Sequence, residues 1–368
     1  MKILYMVNVP SPYMVNYFNE LGKYCDLTVL FEKSTSAERD DSWKEYAFKN
    51  FKGIVLKGYS TAVDAAFCPL VIKYLKKNIY DYIFISNMST PTGIIAIEYL
   101  RLKKIDYFLE SEGGFAKDGQ GLKEKFKKHV MSGAKLYFST TPIGDEYFLT
   151  YGATKDKLVK YPFTSIYEKD ILKKVLEIDE KQSLRNELGI KEEKVIISVG
   201  QFIPRKGFDI LLKASKNLPE NVGIYIIGGN PTDEYIQMKL QLQLKNVHFV
   251  GFKRTDELSK YYQCADLFVF PTREDVWGLV INEAMAYGLP IITTDRCIAG
   301  MELIKDDENG YIVPVENVEI LNEKMNRLIF DDTLRKRMGE KSLEKIHEYT
   351  FENMAKVHID FLSKEKQG

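Results

Sequence analysis

Cysteine is scarce in this chain of 368 residues. The four present, Cys25, Cys68, Cys264 and Cys297, form no Cys-x-x-Cys pair and have no nearby histidine, so neither a disulfide framework nor a zinc site is implied. Reduced thiols in a cytosolic protein are the expectation. Long apolar runs are missing too: nothing approaches the ~18 residues that a membrane span needs. The opening Met-Lys-Ile-Leu-Tyr-Met-Val-Asn is too short for a signal peptide and runs into Pro10, so it reads as a first strand and the protein is expected in the cytoplasm. A net charge of +0 argues against a nucleic-acid partner held by bulk positive charge, although the first 164 residues carry more Lys and Arg than acids. Asp-x-Asp, short-period repeats and low-complexity segments are also absent from the sequence.

What is present is ordinary globular composition, 45% hydrophobic and 28% charged, in a chain longer than one core usually supports. Apolar runs at Ile3–Val7, Leu27–Phe31, Ile54–Leu56, Tyr82–Ser86, Tyr107–Leu109 and Leu136–Ser139 read as strands. Helical patterns at Tyr13–Lys23, Ala62–Lys77 and Thr92–Lys103 fall between them. Such alternation predicts a parallel sheet with helices on both faces. Tyr161-Pro-Phe-Thr-Ser165 breaks the pattern, a charged helix is expected from about Glu168 to Leu188, and the grammar restarts. Strands are then expected at Val195–Val199, Ile224–Ile227, Val247–Val250, Leu267–Phe270, Ile291–Thr293 and Ile312–Val313. The expectation is α/β, with domains at 1–164 and 165–349 and a ligand held between them. Periodicity does not give the destination of the amphipathic stretch Thr350–Lys364; residues 350–368 are expected to pack back on the first domain.

One unit stands out. Leu267–Phe270 is a buried strand, Pro271 ends it, an acidic loop with Glu274 and Asp275 follows, and Gly278 opens a helix closed by Gly288 and Pro290. Loops at the carboxyl ends of strands are where open α/β sheets bind ligands. The amides of Gly278, Leu279 and Val280 begin the helix and suit an anion. Glu283, five residues in, is placed to face the same crevice. A second loop, Ser198-Val-Gly-Gln-Phe-Ile-Pro-Arg-Lys-Gly207, also joins a strand to a helix. Gly200 permits close backbone approach, and Arg205 and Lys206 suit a diphosphate. Cations at a helix start oppose its dipole, so a merely solvated Arg-Lys pair is the less economical reading.

In order along the chain, the Gly200 loop with Lys206-Gly207, Gly228-Gly229, Val247-His-Phe-Val-Gly251, Ala265-Asp266, Glu-Ala-Met-Ala at 283–286, Gly-x-Pro at 288–290, Gly300-Met-Glu302 and Asn309-Gly310 resemble family-four retaining glycosyltransferases. Gly133-Ala-Lys-Leu-Tyr-Phe-Ser139 and Tyr151-Gly152 are similar as well. The resemblance implies a GT-B fold, two Rossmann-like parallel-sheet domains facing a central cleft. It implies a nucleotide diphosphate sugar donor, a glycan or lipid-linked glycan acceptor of a bacterial cell-surface polysaccharide and no cofactor, while the absence of Asp-x-Asp fits a site without metal. Lys206 and Arg205 would hold the diphosphate, with Gly200, Gln201 and the amides of Gly278 to Val280 around it. Glu283 would accept hydrogen bonds from the ribose.

The chain departs from the family pattern in several places. Eight residues before Glu283 stands Asp275 with Glu274 beside it, so spacing selects Asp275 for the transferred sugar and residue type selects Glu274. Gln201 stands where the family carries arginine. The first-domain His-Asp is replaced by Glu110-Ser-Glu112-Gly-Gly114, which makes Glu112 a candidate, and the first-domain glycine loop by Asn8-Val-Pro-Ser-Pro-Tyr13. A catalytically silent nucleotide-sugar binder and a nucleotide-sugar epimerase stay open as alternatives. Finally, Leu122, Phe126 and Val130 share a helical face among Lys123, Lys125, Lys127 and Lys128. That pattern fits either a solvated lysine face over a core stripe or peripheral contact with the inner face of the plasma membrane.

Overall fold

A computed structural model describes residues 1–34, 47–116, 119 and 121–366. The chain divides into two compact units, Met1–Ser165 with Thr350–Gly368, and Ile166–Tyr349.

The first unit runs β1 (Lys2–Val7), α1 (Pro12–Leu21), β2 (Asp26–Phe31), β3 (Lys52–Val55), β4 (Tyr59–Ala62), β5 (Ala65–Phe67), β6 (Tyr82–Ile85), α2 (Pro91–Lys103), β7 (Phe108–Glu110), α3 (Leu122–Met131), β8 (Leu136–Ser139), α4 (Pro142–Thr150) and β9 (Leu158–Lys160). Seven strands form one parallel sheet in the order β3-β2-β1-β6-β7-β8-β9. Its central strands are almost wholly buried apolar runs, as a sheet covered on both faces requires. Helix starts are encoded locally: Thr90 accepts from the Gly93 amide and Thr141 from the Gly144 amide, each ahead of a proline at the first helical position.

The second unit runs α5 (Ile178–Leu188), β10 (Lys194–Val199), α6 (Phe208–Ala214), β11 (Val222–Ile227), α7 (Asp233–Gln241), β12 (Val247–Val250), α8 (Thr255–Cys264), β13 (Leu267–Phe270), α9 (Leu279–Ala286), β14 (Ile291–Thr294), α10 (Ile298–Leu303), β15 (Gly310–Val313), α11 (Val318–Phe330) and α12 (Asp332–Ile346). Its six strands are parallel in the order β12-β11-β10-β13-β14-β15. Strand order reverses between β10 and β13, so the loops leaving these two neighbours diverge at a topological switch point, where such sheets take ligands. A core including Ile196, Phe208, Leu211, Ile224, Val269, Ile292 and Met325 holds this sheet to its helices. The chain closes with α13 (Phe351–Glu365), which belongs to the first unit and lies on α1.

Two helix expectations fail. Ala62–Lys77 is not helical: it holds part of a β4–β5 hairpin and a short 3-10 turn at Pro69–Lys73. Lys33 Nζ donates to the carbonyls of Ala62 and Val63, and Glu32 Oε2 accepts the Ala66 amide, so backbone groups a helix would use are taken. Between Glu168 and Leu188 the helix begins only at Ile178, where Glu177 and Glu180 form a reciprocal cap.

Candidate active site

Strand pairing of β10 with β13 brings together loops about seventy residues apart in sequence. Lys206 Nζ lies 2.6 Å from Asp275 Oδ2, and Arg205 Nη1 lies 3.2 Å from the same oxygen. The Lys206 and Asp275 side chains are only 14% and 12% exposed, while Arg205 is 46% exposed. Arg205 also donates to the Glu274 carbonyl at 2.9 Å, and Lys206 sits over the Phe270 ring. Glycine permits the approach: Gly207 has φ 69°, and a Cβ there would lie 2.1 Å from the Pro271 carbonyl oxygen.

Asp275 is fixed in register by its backbone. Its amide donates to the Arg296 carbonyl at 2.9 Å, and its own carbonyl accepts the Ile298 amide at 3.3 Å, in a parallel bridge to Cys297. Cys297 is buried, and burial, with the Asp275 carboxylate beside it, pushes its thiol up to about 12. Glu274 points elsewhere: its side chain is 50% exposed and pairs with Arg296 at 3.3 Å. The two acids that sequence left undecided are thus in different settings, one buried against cations and one outward.

Gly278 takes φ 102° and leads into α9, whose first N–H groups, from Leu279 and Val280, lack intrahelical partners. Trp277 Nε1 donates to Asn282 Oδ1 at 2.8 Å, which ties the turn to the helix. Glu283, on α9, accepts from the buried Tyr262 hydroxyl at 2.9 Å. Burial and the Glu283 carboxylate push that phenol well above its ordinary range. Gly200 packs backbone to backbone with Gly228, where a Cβ would lie 2.2 Å from the Gly200 oxygen, and Gln201 is exposed. In the first unit, Glu112 accepts from the Tyr13 hydroxyl at 2.9 Å and follows the buried Glu110.

Sequence reasoning missed Arg273. Its guanidinium grips both Asp209 oxygens at 2.8 Å, donates to the Pro204 carbonyl at 2.6 Å and reaches Glu316 at 2.7 Å. Its amide donates to the Arg205 carbonyl at 2.8 Å. Bidentate pairing of this kind locks the two loops together. The available signal was an acid two residues past Gly207 and an arginine two past Pro271. Among the described residues, no group of three His, Cys, Asp or Glu side chains is placed to hold a metal ion.

The fold is a two-domain α/β architecture of the GT-B kind, with Lys206, Arg205 and Asp275 gathered at the switch point of the second sheet. Residues 180–345, which lie in the second unit, match the family model for glycosyl transferases group 1. An uncharacterized glycosyltransferase of Methanocaldococcus jannaschii is 30% identical over 189 residues, 50% of this chain and 48% of that protein. The capsular polysaccharide biosynthesis glycosyltransferase CapM of Staphylococcus aureus is 28% identical over 188 residues, 49% of each. The chain therefore spans about half the length of these curated relatives. Among solved structures, Anabaena HepE in complex with UDP is similar over 99% of this chain and 100% of that one, with TM-score 0.80 and 17% identity.

Proposed function

We propose that this protein is a retaining, metal-independent glycosyltransferase. It moves a sugar from a nucleotide diphosphate sugar to a glycan or lipid-linked glycan acceptor in cell-surface polysaccharide synthesis. The observation that carries the reading is the convergence of Lys206 and Arg205 on one buried carboxylate oxygen at the switch point, beside the α9 amides. Cleaving the anomeric bond leaves a nucleoside diphosphate, and two fixed cations with a helix N-terminus stabilise charge that grows in that step. Glu283 suits a ribose diol, and Asp275 the transferred sugar. Retention follows from attack on the leaving-group face, with a diphosphate oxygen taking the acceptor proton. The capsular relative and the UDP-bound neighbour support a nucleotide-sugar donor and a polysaccharide product. A thermal-shift screen of the full chain against UDP-, GDP- and dTDP-sugars tests it, because a ligand that binds only the folded state raises the melting temperature. One donor should stabilise the wild type, be consumed with acceptor present despite chelator, and fail to stabilise Lys206→Ala. Turnover that stops with chelator and returns with magnesium would refute metal independence.

The acceptor side of this reading is a peripheral contact with an anionic membrane, supported by α3. Leu122 and Phe126 are 86% and 54% exposed, flanked by the exposed Lys123, Lys125 and Lys128, and only Val130 and Met131 are buried. The core-stripe alternative thus fails at two of its three positions. Lys127 instead lies over the Tyr147 and Tyr151 rings. Among the described residues no helix is long and apolar enough to cross a membrane. Flotation with phosphatidylglycerol vesicles should carry the wild type and lose Leu122→Asp/Phe126→Asp. Equal flotation with pure phosphatidylcholine vesicles would remove the role given to the lysines.

A further inference from the structure

The first unit buries an ionisable pair that the proposed reaction does not use. His358, on α13, is 0% exposed. Its Nε2 lies 3.0 Å from Glu110 Oε2, and its Nδ1 lies 2.8 Å from the Met354 carbonyl oxygen. A carbonyl oxygen only accepts, so Nδ1 carries a hydrogen and donates it. Nε2 and the Glu110 carboxyl are then joined by one hydrogen bond. The ring is stacked on Phe138 and ringed by Tyr17, Phe84 and Tyr161.

Glu110 is the last residue of β7, and Ser111-Glu112-Gly113-Gly114 leaves directly from it. Around that turn the same cage supplies further bonds. Tyr5 donates to Glu110 Oε2 at 3.0 Å, and Tyr161 donates to the Ser111 carbonyl at 3.2 Å. The Ser111 amide donates to the Phe138 carbonyl at 3.0 Å, and Thr140 donates to the Glu112 carbonyl at 3.1 Å. Ser111 Oγ donates to the Gly113 carbonyl, and Gly113 and Gly114 take φ 153° and 157°, values that favour glycine.

We infer that His358 is a positioning residue: by holding Glu110 it fixes the start of the Ser111–Gly114 turn, and with it the direction of Glu112. The role assigned to Glu112 rests on the reading under Proposed function; the anchoring of the turn does not. The residue lies far along the chain, on α13, and is wholly buried beside the start of the turn.

The experiment compares His358→Phe, His358→Gln and the double variant Glu110→Met/His358→Phe with the wild-type full chain. Readouts are melting temperature, hydrogen–deuterium exchange of peptides covering residues 107–116, and kcat and KM with whichever nucleotide sugar stabilises the wild type. The double variant replaces a buried pair by apolar groups, which restores stability when packing is all that matters. Expected is a double variant melting near wild type whose turn still exchanges about tenfold faster and whose kcat is down about tenfold, the scale of one lost hydrogen bond. Donor KM stays unchanged, and His358→Gln, which keeps a donor toward Glu110, exchanges more slowly at the turn than His358→Phe. The inference is overturned if the double variant matches wild type in exchange and turnover, or if His358→Gln and His358→Phe exchange alike there. Should no nucleotide sugar be consumed by the wild type, the proposed activity fails, while the exchange data still decide whether His358 holds the turn.

Discussion

One oxygen, Asp275 Oδ2, balances two cations, Lys206 and Arg205, within 3.2 Å. Leaving that carboxylate out would place a nearly buried ammonium without a counter-charge, which is costly. A diphosphate offers the same cations more charge and more acceptor oxygens. Under the proposed function, donor binding is expected to compete with Asp275 for Lys206 and to free the carboxylate for sugar hydroxyls. Asp275→Asn is expected to leave nucleoside diphosphate affinity unchanged or tighter, while turnover falls at least about tenfold. Glu274→Gln, altering an exposed side chain that faces Arg296, should have the smaller effect. Calorimetry and initial rates on both variants check this; a silent Asp275→Asn beside an inactive Glu274→Gln reverses the roles. Residue types and spacing made both acids legible as candidates. Their different settings were not legible, because these depend on the bridge to Cys297 and on β10 pairing with β13, neither of which leaves a periodic trace.

At the scale of elements, most strands announced themselves within a residue or two, since a sheet covered on both faces needs uninterrupted apolar runs. The two failures differ in cause: the late start at Ile178 is set by a local cap, whereas at Ala62–Lys77 side chains capture backbone from a distance. Lys33 and Glu32 lie some thirty residues before the hairpin groups they bind, so the apparent helical stripe at Ala62–Lys77 carried no warning. A similar distant anchor holds α5 to the second sheet. Arg185 and Lys181 reach Asp266, just before β13, at 2.7 and 3.4 Å, and Asp266 also accepts the Val195 amide. Burial opposes ionisation of Asp266, but Lys181, Arg185 and that amide outweigh it and hold its carboxyl below the ordinary range. A depressed folded-state pKa gives stability that is full above the unfolded value, about 3.9, and is lost as pH falls through the folded value. The share of stability that this carboxylate provides should thus be lost below about pH 4, and Asp266→Asn should flatten that loss in melting temperature. At neutral pH the same variant should cost about 3–5 kcal/mol by leaving buried cations unpaired. A variant melting like wild type at neutral pH would show that the network contributes nothing net.

Across the whole molecule, chain order and unit membership part company at the carboxyl end. The last helix lies outside the second unit that precedes it and buries Phe351, Met354, Ala355, His358 and Leu362 in the first. Tyr82 donates to the Leu362 carbonyl at 2.8 Å, and Lys135 pairs with Glu365 at 2.7 Å, so the last turn of the helix is pinned by first-unit side chains. Amphipathic periodicity gave the helix but not its destination, because an apolar stripe does not say which surface it covers. Removing residues 350–368 should therefore unfold or loosen the first unit and leave the second intact. The second unit has its own core and contains Arg205, Lys206, Asp275 and Glu283, so the truncated chain should still bind the nucleoside diphosphate of the identified donor. Calorimetry should show one transition lowered or lost and the other still raised by the nucleotide, since stabilisation follows binding to the folded state. Transfer to acceptor should cease in the same sample, because Glu112 and α3 belong to the unit that has lost its helix. A truncated chain that keeps both transitions at wild-type temperatures would show that α13 is dispensable to the first unit. Loss of nucleotide binding with an intact second transition would place essential donor contacts outside residues 166–349.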